Sequence, residues 1–409
     1  MSRRHRTTLL GLAITIALGA CRLSADPAAT PPPLKFSGEP TWPETSTYPG
    51  VGAGRLVITN SYEDSLSVFD LSLIGHAPLP ELKRVPVGLN PIAIEGPHHV
   101  AASPSGDFIF PLLSNYAPGT GTGPHGAHGN GTVDGYVLKL STANNRLAAQ
   151  ARVDRNPGDI ALSPDGKTLA ITHFDLQRIT DAAQGNGSPD ARLILVDADT
   201  MERRAAIDLC PAPHGVAFNR EGTRLYAACL SDEVAVVDLT GATPQVTRVK
   251  IAPDAGDAFF QKYQPYMVAV SPMSGDVYVS CLTSKDLRVL RADTLTIDTA
   301  RQTRLAGAPY LGAFSADGTQ LWVPSQGDDA LSEVNAATGA VTRSMQLPAD
   351  QCRNVHQVAL VRDGKYLAVI CEGIRPKPGA LLIVDAATLS VVSHTEVGLY
   401  PDNVAVVVK

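Results

Sequence analysis

The 409-residue sequence carries no run of basic residues and no interleaving of aromatic with basic side chains. With 34 Lys and Arg against 40 Asp and Glu, its net charge is -6. A nucleic-acid partner is therefore not expected. Aromatic residues make up only 5% of the chain, too few for a carbohydrate- or base-stacking platform. The motifs of common enzymes are missing too. There is no Gly-x-Ser-x-Gly, no phosphate-binding Walker loop, no His-Glu-x-x-His and no dinucleotide fingerprint. No Cys-x-x-Cys-His haem attachment occurs, so the chain is not itself a c-type cytochrome. The apolar run Leu9–Leu18 is too short to span a bilayer.

What is present begins at the N-terminus. Arg3, Arg4 and Arg6 precede that apolar stretch, which ends in Leu18-Gly19-Ala20-Cys21. The arrangement resembles a bacterial lipoprotein signal peptide over residues 1–20. In that family the Cys becomes the lipidated N-terminus, a role that falls on Cys21; the alternative is an ordinary secretory signal cut after Ala20. Residues 21–53 are Pro-rich and read as a tether. Together they imply an exported protein at the periplasmic or surface face of the outer membrane, in contact with the membrane through its anchor alone.

Residues 54–409 carry six copies of one pattern, a strand, a turn of the Ser-Pro-Asp-Gly type and a second strand, and third strands end in Phe69-Asp70, Val196-Asp197, Val237-Asp238 and Val384-Asp385. Ser163-Pro164-Asp165-Gly166 and Ser315-Ala316-Asp317-Gly318 are two of the turns. Pro presets such a turn and Gly takes its positive-φ position. Turn-to-turn intervals run from 44 residues (271 to 315) to 60 (103 to 163), the size of one four-stranded propeller blade. Gly54–Asn60 reads as a second strand without a first, and Pro401–Val408 as a first strand without a second. Paired, they complete a seventh blade. The expected fold is all-β, a seven-bladed β-propeller closed by the C-terminal strand joining the first blade, and a monomer.

The repeat wording in Leu56-Val57-Ile58-Thr59-Asn60, Leu225-Tyr226-Ala227-Ala228-Cys229 and Val384-Asp385-Ala386-Ala387-Thr388 resembles the YVTN-repeat, YncE-like propellers, which are similar to the methylamine dehydrogenase heavy chain. The resemblance speaks for the fold and little for function, because these propellers serve many roles. Seven-bladed lactonases share the architecture, and a lactonase-like hydrolase is a minor alternative here.

In such a blade the start of the first strand and the end of the second share one face. The first positions form an inner ring of Asp402, His98, Gly158, His214, Tyr266, Tyr310 and His356. The second form an outer ring of Asn60, Leu113, His173, Cys229, Cys281, Ser325 and Cys371. Long loops on the same face add His125 and His128, and His99 adjoins His98. These imidazoles and the Cys281 thiol are candidate ligands for copper, iron or zinc. Nitrous oxide reductase offers a positional analogy, a propeller with copper at a channel-mouth histidine cluster. Against this stands the expectation that polar channel residues hydrogen-bond strand ends and water. Cys210-x3-His214-x14-Cys229 and Cys352-x3-His356-x14-Cys371 share one spacing. Pairing across each hairpin puts Cys210 near Cys229 and Cys352 near Cys371, as disulfides or as thiolate ligands.

Two functions follow. The first is a non-enzymatic binding propeller that meets a small ligand or protein partner through its loop-rich face. The second is a metal-dependent redox protein, partnered by a separate c-type cytochrome. Labelling of producing bacterial cells with radioactive palmitate is expected to mark the chain, and Cys21→Ser is expected to abolish the label; an unlabelled wild-type chain would refute the anchor.

Overall fold

The computed structural model describes residues 54–90, 93–115 and 128–408; the expected signal peptide and tether, with Cys21, and His125 lie outside this set. Seven sheets, each with four strands in order from channel to rim, make up the described fold, and in one the innermost strand is split in two. Blade one joins Pro401–Val407 to Arg55–Asn60, Ser65–Asp70 and Glu81–Pro86. The pairing of the two chain ends is antiparallel, Arg55 opposite Val407 and Ile58 opposite Val404. Blades two to seven begin at Pro97, Pro157, Pro213, Pro265, Ala308 and Val355. The expected seven-bladed, all-β architecture and its C-terminal closure are therefore present.

The cause is alternation along each strand. Successive side chains point to opposite faces of a sheet, so each blade is apolar on both faces and must be covered twice. Seven apolar clusters result, one between each pair of neighbouring blades. Between blades one and two, for example, Leu66 and Val68 meet Ile109 and Leu140. Between seven and one, Ile370 and Ile383 meet Ile58 and Phe69. Each such side chain contributes about 1.5–3 kcal/mol by leaving water. Acidic residues at tight turns add a polar stitch between blades. Asp64, at φ 46°, accepts Gly96 N at 2.9 Å, and Asp329, at φ 49°, accepts Val355 N at 3.0 Å.

The first strand of most blades starts with a β-bulge. Pairing breaks between Pro97 and Val100, Pro157 and Ile160, Pro213 and Val216, and Val355 and Gln357. A bulge bends the strand and re-aims the side chains inside it. Inside these bulges lie His98, His214 and His356, at the wall of the channel, and Gly158 at the equivalent place in blade three. In six blades the residue before the first strand has positive φ: Gly96, Asn156, Ala212, Gln264, Asn354 and Tyr400.

Both disulfides form, with Cα separations of 6.0 Å for Cys210–Cys229 and 5.3 Å for Cys352–Cys371. Their placement differs from simple hairpin pairing. Cys210 lies on the outermost strand of blade three, so its bridge staples that blade to the second strand of blade four. Cys352 lies on the approach to blade seven, and its bridge ties that approach to the same blade's second strand. Cys229 and Cys371 thereby leave the ligand pool. The bridges are compatible with an exported protein. No helix among the described residues is long and apolar enough to cross a membrane. Non-reducing peptide mapping is expected to recover both bridges. Replacing Cys210 and Cys229 together by Ser is expected to cost about 3 kcal/mol in chemical denaturation, given a closed loop of this size; an unchanged midpoint would show that the blade interface holds without the bridge.

Candidate functional site

The bulges bring His98, His214 and His356 to one end of the channel, where each is fully buried. His99 stands beside His98 and is 1% exposed. His98, on blade two, and His214, on blade four, face each other across blade three, with their Nε2 atoms 3.2 Å apart. Blade three has glycine at the ring position, Gly158, and so projects no side chain between them. His128 occupies that sector from the loop ahead of the third strand of blade two. Its ring centroid is 4.3 Å from that of His98 and 5.4 Å from that of His214, and its Nε2 donates to Pro157 O at 3.0 Å. Gly131 and Asn156 hold this segment through a pair of hydrogen bonds, and Gly129 O accepts the Leu176 N–H. Leu176 opens the helix Leu176–Ala183, a piece of regular structure inside the stretch 174–190.

Three imidazoles are oriented through Nδ1. His98 Nδ1 lies 3.1 Å from Asp402 Oδ2, His99 Nδ1 lies 2.5 Å from Asp159 Oδ1, and His356 Nδ1 lies 2.6 Å from Asp402 O. A carboxylate or carbonyl on one ring nitrogen fixes the tautomer and turns the other nitrogen toward a ligand. These acceptors are themselves held. Ser61 Oγ donates to the Asp402 carboxylate, and Val216 N donates to Asp159 Oδ2 at 2.9 Å. Hydroxyls of the preceding blade satisfy carbonyls freed by the bulges: Thr59 Oγ1 donates to His98 O at 3.0 Å, and Thr172 Oγ1 donates to His214 O.

Ring nitrogens of His98, His99 and His214 lie within 4.8 Å of one another. His99 Nε2 is buried and has no hydrogen-bond partner among the described residues. Next to them, His356, Glu372 and Asp402 form a second buried group on the same length scale. Two tyrosines complete the wall. Tyr266 stacks on His214 with centroids 3.8 Å apart, and Tyr310 lies 4.9 Å from His356. Burial pushes both phenols well above their ordinary range, so they stay neutral.

The remaining candidates lie elsewhere. His173 is buried between strands of blade three, and its Nδ1 donates to Arg192 O at 2.7 Å. Cys281 sits in the apolar layer between blades four and five, where burial pushes its thiol well above the usual range. These outer-ring residues thus point into the blades, while neighbours of opposite parity such as Thr59 and Thr172 bond the first strand of the next blade. Two acidic members of the cluster, Asp159 and Glu372, were not among the sequence candidates. Asp159 follows a ring position, as do His99, Asn403 and Gln357, and that polar series was its signal. Glu372 only opens a loop and had none.

No family model matches this chain, and no curated protein matches it. Solved structures do. A dihydro-haem d1 dehydrogenase, NirN, solved in complex with DHE, is 13% identical with a TM-score of 0.57, over 90% of this chain and 79% of that one. Apo AztD from Citrobacter koseri is 13% identical with a TM-score of 0.54, over 87% and 98%. A putative 6-phosphogluconolactonase from Bacteroides uniformis is 14% identical with a TM-score of 0.58, over 87% and 100%. At these identities the likeness is one of fold.

His173 offers a check on the buried polar layer. Burial holds it down to about 4, against the opposing pull of the Asp154 carboxylate and the Arg192 carbonyl. The unfolded chain takes up this proton near pH 6.5 and the folded chain does not. Wild-type stability is therefore expected to fall as pH drops from about 6.5 to about 4, by up to about 3 kcal/mol from this residue. Urea denaturation of His173→Gln should lack that increment; equal pH slopes in the two proteins would refute it.

Proposed function

We propose that this chain is a lipid-anchored envelope propeller that binds a transition-metal ion of the zinc or copper class at the end of its channel. The observation that carries the proposal is the convergence of His98, His99 and His214. Two nitrogens bound to one tetrahedral ion at the usual zinc–nitrogen length lie about 3.3 Å apart, close to the 3.2 Å between His98 and His214. A hydrogen bond between those two rings would satisfy them but leave His99 Nε2 buried and unpaired, at a cost of about 1–3 kcal/mol. One ion satisfies all three. Orientation of His98 and His99 through Asp402 and Asp159 is the arrangement that raises ligand basicity at metal sites.

The fold does not choose between functions, since the similar structures include both a dihydro-haem dehydrogenase and a putative lactonase. The donor set favours binding: imidazoles, no thiolate, and a Cys281 locked in the core. Imidazole suits zinc and copper alike.

Elemental analysis of the untagged protein, as purified and after incubation with Zn(II) or Cu(II), is expected to find stoichiometric metal. His98→Ala and His214→Ala should each remove one equivalent, with circular dichroism unchanged. A wild-type protein that stays metal-free under all these conditions would defeat the proposal.

A further inference from the structure

We infer that His356, Glu372 and Asp402 form a second divalent-cation site, richer in oxygen than the three-histidine site and joined to it through Asp402. The inference rests on the metal-binding reading above and adds a second ion to it.

Geometry separates the two groups. Two imidazoles on one tetrahedral ion place their ring centroids roughly 5 Å apart. His98–His214 at 5.4 Å and His99–His214 at 5.5 Å match. His356 is 6.4 Å from His98 and 6.3 Å from His99, so it belongs to a different centre. Its own neighbours supply that centre. His356 Nε2 lies 3.8 Å from Glu372 Oε1. That is too long for a hydrogen bond, but ligand atoms on one ion at bond lengths of about 2.1 Å are roughly 3–4 Å apart. His356 Nδ1 bonds Asp402 O, and Nε2 is the ring nitrogen on the Glu372 side.

The site is also built. His356 and Asp402 are fully buried and Glu372 is 3% exposed. Gln326 Nε2 donates to Glu372 Oε1 at 3.0 Å and fixes the carboxylate from outside. Two carboxylates and one imidazole are a harder ligand set than three imidazoles, suited to ions such as Mn(II) that accept oxygen and keep water. Asp402 has a part in both groups. Its Oδ2 faces His98 Nδ1, and a carboxylate offers two oxygens as acceptors or ligands.

The test uses the full chain, first loaded with one equivalent of Zn(II) and then titrated with Mn(II). Loss of the aqueous Mn(II) paramagnetic resonance signal reads the binding. One Mn(II) per chain is expected for the zinc-loaded wild type. Glu372→Gln should weaken Mn(II) binding by about tenfold or more while keeping its zinc. His99→Ala should lose zinc and keep Mn(II), which guards against a general loss of folding. Zinc-loaded wild type that leaves the Mn(II) signal untouched overturns the second site alone. Failure of the wild type to take up zinc overturns the reading beneath it.

Discussion

Closure of the ring is the interaction on which the rest depends. The last strand, Pro401–Val407, pairs with Arg55–Asn60, chain segments separated by nearly the whole sequence. Without it two sheet edges would lie open, and open edges recruit other strands. The same strand delivers Asp402 to His98 and to His356, and Asn403 to the backbone of blade two, where Asn403 Oδ1 accepts Val100 N at 3.1 Å. Fold closure and assembly of the polar cluster are therefore one event.

The bulges show how stability and chemistry are reconciled. A residue lifted out of a β-ladder loses hydrogen bonds, and buried backbone groups must be paired. Here the preceding blade supplies the partners through Thr59, Thr172 and Ser280, whose Oγ donates to Tyr310 O at 2.9 Å. The lifted residues can then carry buried imidazoles on a rigid frame. Glycine at position 158 opens one sector of the ring, and His128 fills it from a neighbouring loop. The polar layer is held by side chains from several blades, which suits a site that must keep its shape.

Much of this was legible in the sequence because repeat positions are equivalent by construction. The Gly-ended turns placed six blades, the two chain ends placed the seventh, and the inner ring picked out His98, His214, His356 and Asp402. The outer ring was less informative. His173 and Cys281 stand at the right height along their strands but on the wrong parity, and a shift of one residue turns a side chain to the opposite face. The bulges hid this, since they change parity without a sequence mark of their own. The cysteine spacing gave the disulfide partners correctly, but not that Cys210 belongs to blade three.

The sequence by itself determined the number of blades, the way the ring closes and the pairing of four cysteines, because those follow from local turns and repeat spacing. Only the tertiary structure decided which polar residues meet. Asp159 and Glu372 reach the cluster, and His173 and Cys281 do not, because side-chain direction at a bulged strand end is fixed by packing against the next blade. The spacing of the imidazoles likewise comes from the radius of the closed ring, a property that no single repeat contains.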